Sequence, residues 1–194
     1  MPRSPMPAHT RPLAPRELDD LLARADEVAQ QLMRDVPDFP KPGVVFKDMT
    51  NLLADAAAFD LIVTALVAPF RGCVDKVAAI EARGFILGAP AAVALGAGLV
   101  PLRKPGKLPW ETLSESYELE YGIDALELHT DALAPGDRVL LIDDVIATGG
   151  TARAAAALVA AAGADLVGLA ALLELDHLGG RHLLPGIRLH VISH

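Results

Sequence analysis

Residues 139–151, Val-Leu-Leu-Ile-Asp-Asp-Val-Ile-Ala-Thr-Gly-Gly-Thr, constrain the fold and the chemistry of this chain more than any other stretch. They read as an apolar strand that ends in two carboxylates, Asp143 and Asp144, then a short loop of small and hydroxyl residues, then an Ala-rich helix. The first turn of a helix has backbone N–H groups without intrahelical partners, and such groups hold phosphate. Two adjacent carboxylates can accept hydrogen bonds from a pair of vicinal hydroxyls. A strand, acid pair and helix start in this order describe a pocket for a sugar phosphate.

The remaining chain has the pattern that such a unit needs. Apolar residues at helical spacing mark a helix over residues 17–34, ended by Pro37, Pro40 and Pro42. Asp55 is placed to cap a second helix running to Phe70. A buried strand is expected over 76–80, a turn over 81–84, a helix closed by Gly96, and a short strand over 99–102. Residues 84–102 carry no charge, but their four glycines and two prolines fit buried helix, turn and strand better than a membrane span. Residues 104–114 lack periodicity and hold Pro105, Gly106 and Pro109, so a mobile loop is expected. Residues 116–121 and 124–129 alternate across Gly122, which predicts a hairpin. Pro135 to Asp137 turn into the strand of the first paragraph. Gly163 ends the helix after it, and strands follow over 165–173 and near 187–192. Strands alternating with helices predict an open, mainly parallel α/β sheet covered on both faces. Ligands bind such sheets beyond the carboxyl ends of the strands. The loops after Ile80, Leu102 and Ile142 are at such ends.

With 194 residues, 52% of them hydrophobic, the chain suits one domain over 17–194, behind a proline-rich flexible tail over 1–16. The domain includes the mobile loop and hairpin, over about 104–129. Aromatics at 4% and a net charge of −8 argue against a nucleic-acid surface. The single cysteine, Cys73, cannot form an internal disulfide, which is compatible with the cytoplasm. The histidines show no metal-ligand spacing. A Gly-x-x-x-x-Gly-Lys-Ser/Thr loop is missing, and Gly96-Ala97-Gly98 lacks the third glycine of a dinucleotide fingerprint.

Residues 141–151 resemble the 5-phosphoribosyl-1-pyrophosphate (PRPP) signature of type I phosphoribosyltransferases. Four further segments are similar to the adenine-using branch of that family: residues 38–48 (Asp-Phe-Pro-Lys-Pro-Gly-Val-Val-Phe-Lys-Asp), 81–85 (Glu-Ala-Arg-Gly-Phe), 103–109 (Arg-Lys-Pro-Gly-Lys-Leu-Pro) and 116–122 (Ser-Tyr-Glu-Leu-Glu-Tyr-Gly). The resemblance runs in order from residue 36 to the end of the sequence.

The resemblance implies the type I phosphoribosyltransferase fold, with a small hood over about 17–50, and the reaction adenine + PRPP → AMP + pyrophosphate. It implies that Asp143 and Asp144 hold the ribose diol, and that Ala147, Thr148, Gly149, Gly150 and Thr151 hold the 5′-phosphate. Arg103, Lys104 and Lys107, three cations within five residues, read alone as a solvated basic loop. The resemblance assigns them to pyrophosphate together with Arg83, and makes Arg103 catalytic. Phe46 reads alone as core packing. The resemblance implies that it stacks on adenine, with Val45 and Arg83 beside the base, and that the peptide preceding Arg83 can be cis. Glu120 reads alone as a solvent-facing acid on an alternating strand. The resemblance implies that a closing hood brings Glu120 and Tyr121 to the site, where Glu120 takes the N9 proton. Mg2+ is implied as the cofactor, bound through PRPP and by no protein ligand, and a homodimer as the assembly. A hypoxanthine- or xanthine-using enzyme, or a PRPP- or purine-sensing regulator, are the alternatives.

Overall fold

The structure is a computed structural model, and it describes residues 12–119 and 122–194. The expected tail therefore lies mostly outside the described residues, and Glu120 and Tyr121 lie outside them too. The central sheet has five parallel strands in the order β4-β3-β7-β8-β9: Gly98–Leu102 (β4), Lys76–Ile80 (β3), Arg138–Ile146 (β7), Asp165–Glu174 (β8) and Leu189–Ser193 (β9). Alternation along these strands builds two cores. Leu140, Ile142, Ala170, Leu172 and Ile192 face helices α1 (Pro15–Leu32), α3 (Ala56–Val67) and α4 (Arg83–Leu95). Val139, Leu141, Leu169 and Ala171 face helix α5 (Gly150–Ala161) and the hairpin β5–β6 (Thr112–Leu119 and Gly122–His129). Helices thus cover both faces of a parallel sheet, as the alternating pattern predicts.

Helix α1 is displaced by two residues from the expected 17–34. Pro15 takes the first helical position, where its missing N–H costs nothing, and the Ala14 N–H donates to Glu17 Oε2 at 2.9 Å. Arg34 belongs instead to a two-stranded antiparallel sheet, β1 (Arg34–Pro37) with β2 (Val45–Asp48), in which Arg34 pairs with Asp48 at 2.7 Å. A short helix, α2 (Thr50–Ala54), follows. Asp55 caps α3 by accepting from the N–H groups of Ala57 and Ala58, at 3.0 and 2.9 Å. The α-helix stops at Val67, and a 3-10 turn containing Pro69 carries the chain to Phe70. Gly96, at φ +64°, ends α4.

Two expectations about strand length are corrected. Strand β7 does not end at the acids but continues to Ile146, because β8 pairs with it as far as Ile146↔Glu174, while β3 pairs only to Ile142. Asp143 and Asp144 therefore lie where the sheet splits: one neighbour has left and the other remains. The expected loop 104–114 is also shortened at its end. Strand β5 begins at Thr112, and Gly122 is already paired with Leu119, so the turn does not lie at Gly122. Antiparallel pairing with His129 and Leu128 draws Thr112 and Leu113 into the ladder despite their weak alternation. Arg103 and Glu127 exchange backbone hydrogen bonds at 3.0 and 2.7 Å, which fixes the hairpin to the end of β4.

Candidate active site

Where β3 and β7 part, a cavity of about 310 Å³ opens beyond the strand ends. One side is the β7–α5 loop. Gly149, at φ +82°, turns the chain into α5, and Gly150 and Thr151 open the helix. Ala147, Thr148, Gly149 and Thr151 line the cavity, and Gly150 is buried beside them. The first-turn amides of α5 point out of the helix and make this wall a receptor for an anion. The floor is the acid pair. The Asp143 carboxylate accepts from the Asp144 N–H at 2.9 Å. Its pKa is pushed well above the ordinary carboxylate range, first by burial and then by the neighbouring Asp144 charge. Gly84 comes against it so closely that a Cβ there would lie 3.1 Å from Asp143 Oδ1 and 3.0 Å from the Ile142 carbonyl. Asp144 is 5% exposed and accepts a hydrogen bond from Arg83 Nε.

The opposite wall carries Glu81, Ala82, Arg83 and Lys104. The cis peptide in this turn is Glu81–Ala82, one bond earlier than the position expected from the resemblance. Arg83 and Lys104 bring positive charge to the cavity, but Arg103 and Lys107 do not line it. Both are turned onto Glu81, whose side chain is only 9% exposed. Glu81 accepts from Lys107 Nζ, from the Lys104 N–H at 2.9 Å and from Arg103 Nε at 3.4 Å. Burial pushes the Glu81 carboxyl up, but these bonds and the charges of Lys107 and Arg103 outweigh it and leave its pKa lowered. Lys104 Nζ donates to Asp124 and lies 2.6 Å from the Tyr117 hydroxyl. Burial opposes its charge, and these two partners more than restore it, so its pKa is raised.

A second pocket of about 170 Å³ adjoins the first and shares Arg83, Asp144 and Val145 with it. Val45, Phe46, Met49, Leu173 and Leu175 make it apolar. The Arg83 guanidinium lies 5.2 Å from the Phe46 ring centroid, and Phe39 meets Phe46 edge-on at 5.2 Å. Phe46 is thus a partly exposed ring on a pocket wall and belongs to neither core, unlike its reading as packing. Two joined pockets, one polar at a helix start and one apolar, suit a phosphorylated sugar beside a planar base.

Glu81, Asp124 and Tyr117 were not among the residues singled out from sequence for the site. Glu81 and Tyr117 stand inside the segments that carry the resemblance, but a carboxylate that holds cations in place leaves no local signature. Among the described residues, Glu174, Asp176 and His194 form one cluster of metal-ligating groups, away from the cavity. There Glu174 is engaged by Arg181, and His194 Nδ1 lies 3.2 Å from Asp176. Among the described residues, no helix is long and apolar enough to cross a membrane.

Residues 50–182 match the model of the phosphoribosyl transferase domain family. The chain is 58% identical over 160 residues to an adenine phosphoribosyltransferase of Acidothermus cellulolyticus, covering 82% of this chain and 90% of that protein. The crystal structure of adenine phosphoribosyltransferase from Rhodothermus marinus superposes with a TM-score of 0.84 at 53% identity, covering 88% of this chain and 98% of that one. The enzyme of Saccharomyces cerevisiae, complexed with an imino-altritol bisphosphate and adenine, superposes with a TM-score of 0.83 at 35% identity, covering 88% of this chain and 99% of that one.

Proposed function

This chain belongs to the phosphoribosyl transferase family, and from that premise we propose how its two joined pockets carry one reaction. The function is transfer of the 5-phosphoribosyl group of PRPP to adenine, giving AMP and pyrophosphate in purine salvage. The observation that carries the assignment of groups is the shared wall: Arg83, Asp144 and Val145 border both pockets, so a sugar in one and a base in the other meet there.

The ribose diol is assigned to Asp143 and Asp144, and the 5′-phosphate to the loop Ala147–Thr148–Gly149–Gly150–Thr151. Arg83, Arg103, Lys104 and Lys107 take the pyrophosphate, and Val45, Phe46 and Arg83 take adenine. Binding PRPP at both phosphate ends orients C1′ towards N9 of the base. As the bond to pyrophosphate breaks, positive charge grows on the ribose and negative charge on the leaving oxygens. Cations placed at the second site stabilise that leaving charge. Arg103 and Lys107 reach it by exchanging Glu81 for pyrophosphate. Glu120, assigned through the family resemblance, takes the N9 proton. The loop and hairpin over about 104–129 close over the site and keep out water.

Mg2+ fits as a companion of PRPP. A hard cation prefers phosphate oxygens and waters; bound through PRPP it would neutralise phosphate oxygens, and Asp143 and Asp144, which line the cavity, could accept from its waters.

A homodimer in the cytoplasm is the proposed assembly and compartment. Ile86 and Val93, one heptad apart on α4, and Leu99 on the edge strand β4 are exposed apolar side chains, with Val93 78% exposed. Such a stripe suits burial against a second copy. Adenine consumption that depends on PRPP and Mg2+, run beside hypoxanthine, guanine and xanthine, tests the reaction. Turnover of another base in preference to adenine would overturn the substrate assignment.

A further inference from the structure

The phosphate loop is backed by a second loop that the reaction does not itself require. Strands β7 and β8 leave the sheet side by side at Ile146 and Glu174, and the Leu175 N–H donates to the Ile146 carbonyl at 2.9 Å. The chain beyond Glu174 then makes two 3-10 turns, Asp176–Leu178 and Gly180–Leu183, and returns against the β7–α5 loop. The contact is backbone on backbone. A Cβ on Gly180 would lie 2.2 Å from the Ala147 carbonyl oxygen and 2.8 Å from the Gly149 nitrogen. A Cβ on Gly149 would lie 2.3 Å from the Gly180 carbonyl oxygen. No side chain fits between the two loops, so the position of Gly180 sets the position of Ala147 and Gly149.

Gly180 is in turn held by its neighbour. Arg181 Nε donates to Glu174 Oε1 at 3.1 Å, and its Nη2 donates to Glu174 Oε2. Glu174 is 2% exposed, at the end of β8. A bidentate guanidinium–carboxylate pair fixes orientation as well as distance. Its anchor is the last rung of the sheet beside Ile146, so the clamp ties the second loop to the strand from which the phosphate loop departs.

We propose that Gly180, Arg181 and Glu174 are positioning residues for the 5′-phosphate of PRPP: the Glu174–Arg181 clamp seats Gly180 as the rigid back wall of the phosphate loop and so aims its amides. The inference rests on the reading of residues 147–151 as the phosphate receptor. Its consequence is selective. Disturbing the wall weakens phosphate capture more than it affects the base pocket, whose lining includes none of Gly180, Arg181 and Glu174.

The test uses the full chain and two independent disturbances, Gly180→Ala and Arg181→Gln, with Arg181→Lys as the conservative control. Ribose 5-phosphate binding by calorimetry, the KM values for PRPP and adenine, and thermal melting are measured for each. The expected result for Gly180→Ala and Arg181→Gln is a PRPP KM and a ribose 5-phosphate Kd raised roughly 10- to 100-fold, the scale of an ångström-sized misplacement. The adenine KM stays within about twofold, and Arg181→Lys recovers part of the loss. If Gly180→Ala does not fold, the two Arg181 variants decide alone. Folded variants that bind ribose 5-phosphate like the parent overturn the proposal, as does an equal loss towards adenine and PRPP. A parent enzyme that does not bind ribose 5-phosphate overturns the phosphate-loop reading itself, and the proposal with it.

Discussion

Arg83 donates to Asp144 across the shared wall of the two pockets while its guanidinium lies 5.2 Å from the Phe46 ring centroid. One side chain therefore connects the carboxylate assigned to ribose with the ring assigned to adenine. Asp144 is buried, and a buried carboxylate requires a partner. Arg83 is that partner here, and under the proposed assignment a ribose diol donating to Asp144 would release the guanidinium towards pyrophosphate and base.

Neutralising the other acid should separate stability from function. The Asp143 pKa is raised in the fold, so the folded state binds this proton more tightly than the unfolded chain does. Its contribution to stability is complete below the ordinary carboxylate value of 3.8 and is lost as pH rises through the raised value. Above the ordinary value the fold must either hold this proton or bear a buried charge, and both cost stability; Asp143→Asn removes that cost. The variant should melt higher by about 2–4 °C for each kcal/mol relieved. The gap over the parent should widen as pH rises from the acid range, while the PRPP KM increases. Melting curves taken across pH check this, and a gap that narrows with rising pH would refute it.

Glu81→Gln should tighten pyrophosphate binding. Glu81 accepts from Arg103, Lys107 and the Lys104 N–H, and under the proposed assignment it would compete with pyrophosphate for the two side-chain cations. Lys107 is half exposed, so the pair is worth about 1 kcal/mol or less after solvent screening. Product inhibition by pyrophosphate should strengthen by up to roughly fivefold. Inhibition constants for parent and variant decide the matter, and weaker inhibition in the variant would contradict it.

Phe46→Ala should act on the base alone. Removing an aromatic platform under a base costs about 1–3 kcal/mol. The adenine KM should rise roughly 5- to 150-fold, and the PRPP KM should change by less than about twofold. Equal effects on both substrates would remove Phe46 from the base site.

Glu120→Gln should lower kcat by roughly 100-fold or more while leaving both KM values near those of the parent, the pattern of a lost general base. A variant that keeps full turnover would leave Glu120 as a contact of the closing loop only.

The site was legible in the sequence where its parts are contiguous. Residues 139–151 carry strand, acids, loop and helix start in one run, and their spacing is set by local geometry. The end of β7 was not legible, because the strand is prolonged by β8 on one side after β3 has left on the other. The start of β5 at Thr112 was hidden for the same reason: Thr112 and Leu113 pair with His129 and Leu128, and the ladder overrides weak alternation. The cations of residues 103–107 could be counted but not placed. Only the approach of Glu81 and Asp124 shows which carboxylates engage them.

Taken alone, the order of residues determined the α/β class, the apolar strands, the helix starts at Asp55 and Gly149–Gly150, and the chemical types gathered near the strand ends. These follow from periodicity, capping and backbone freedom, each of which acts over a few residues. The tertiary structure decided which groups face one another: Arg83 with Asp144, Glu81 with Lys107, and Gly180 with Gly149. Those pairings join residues far apart in the chain, and their energies depend on distance and burial, which exist only once the sheet has assembled.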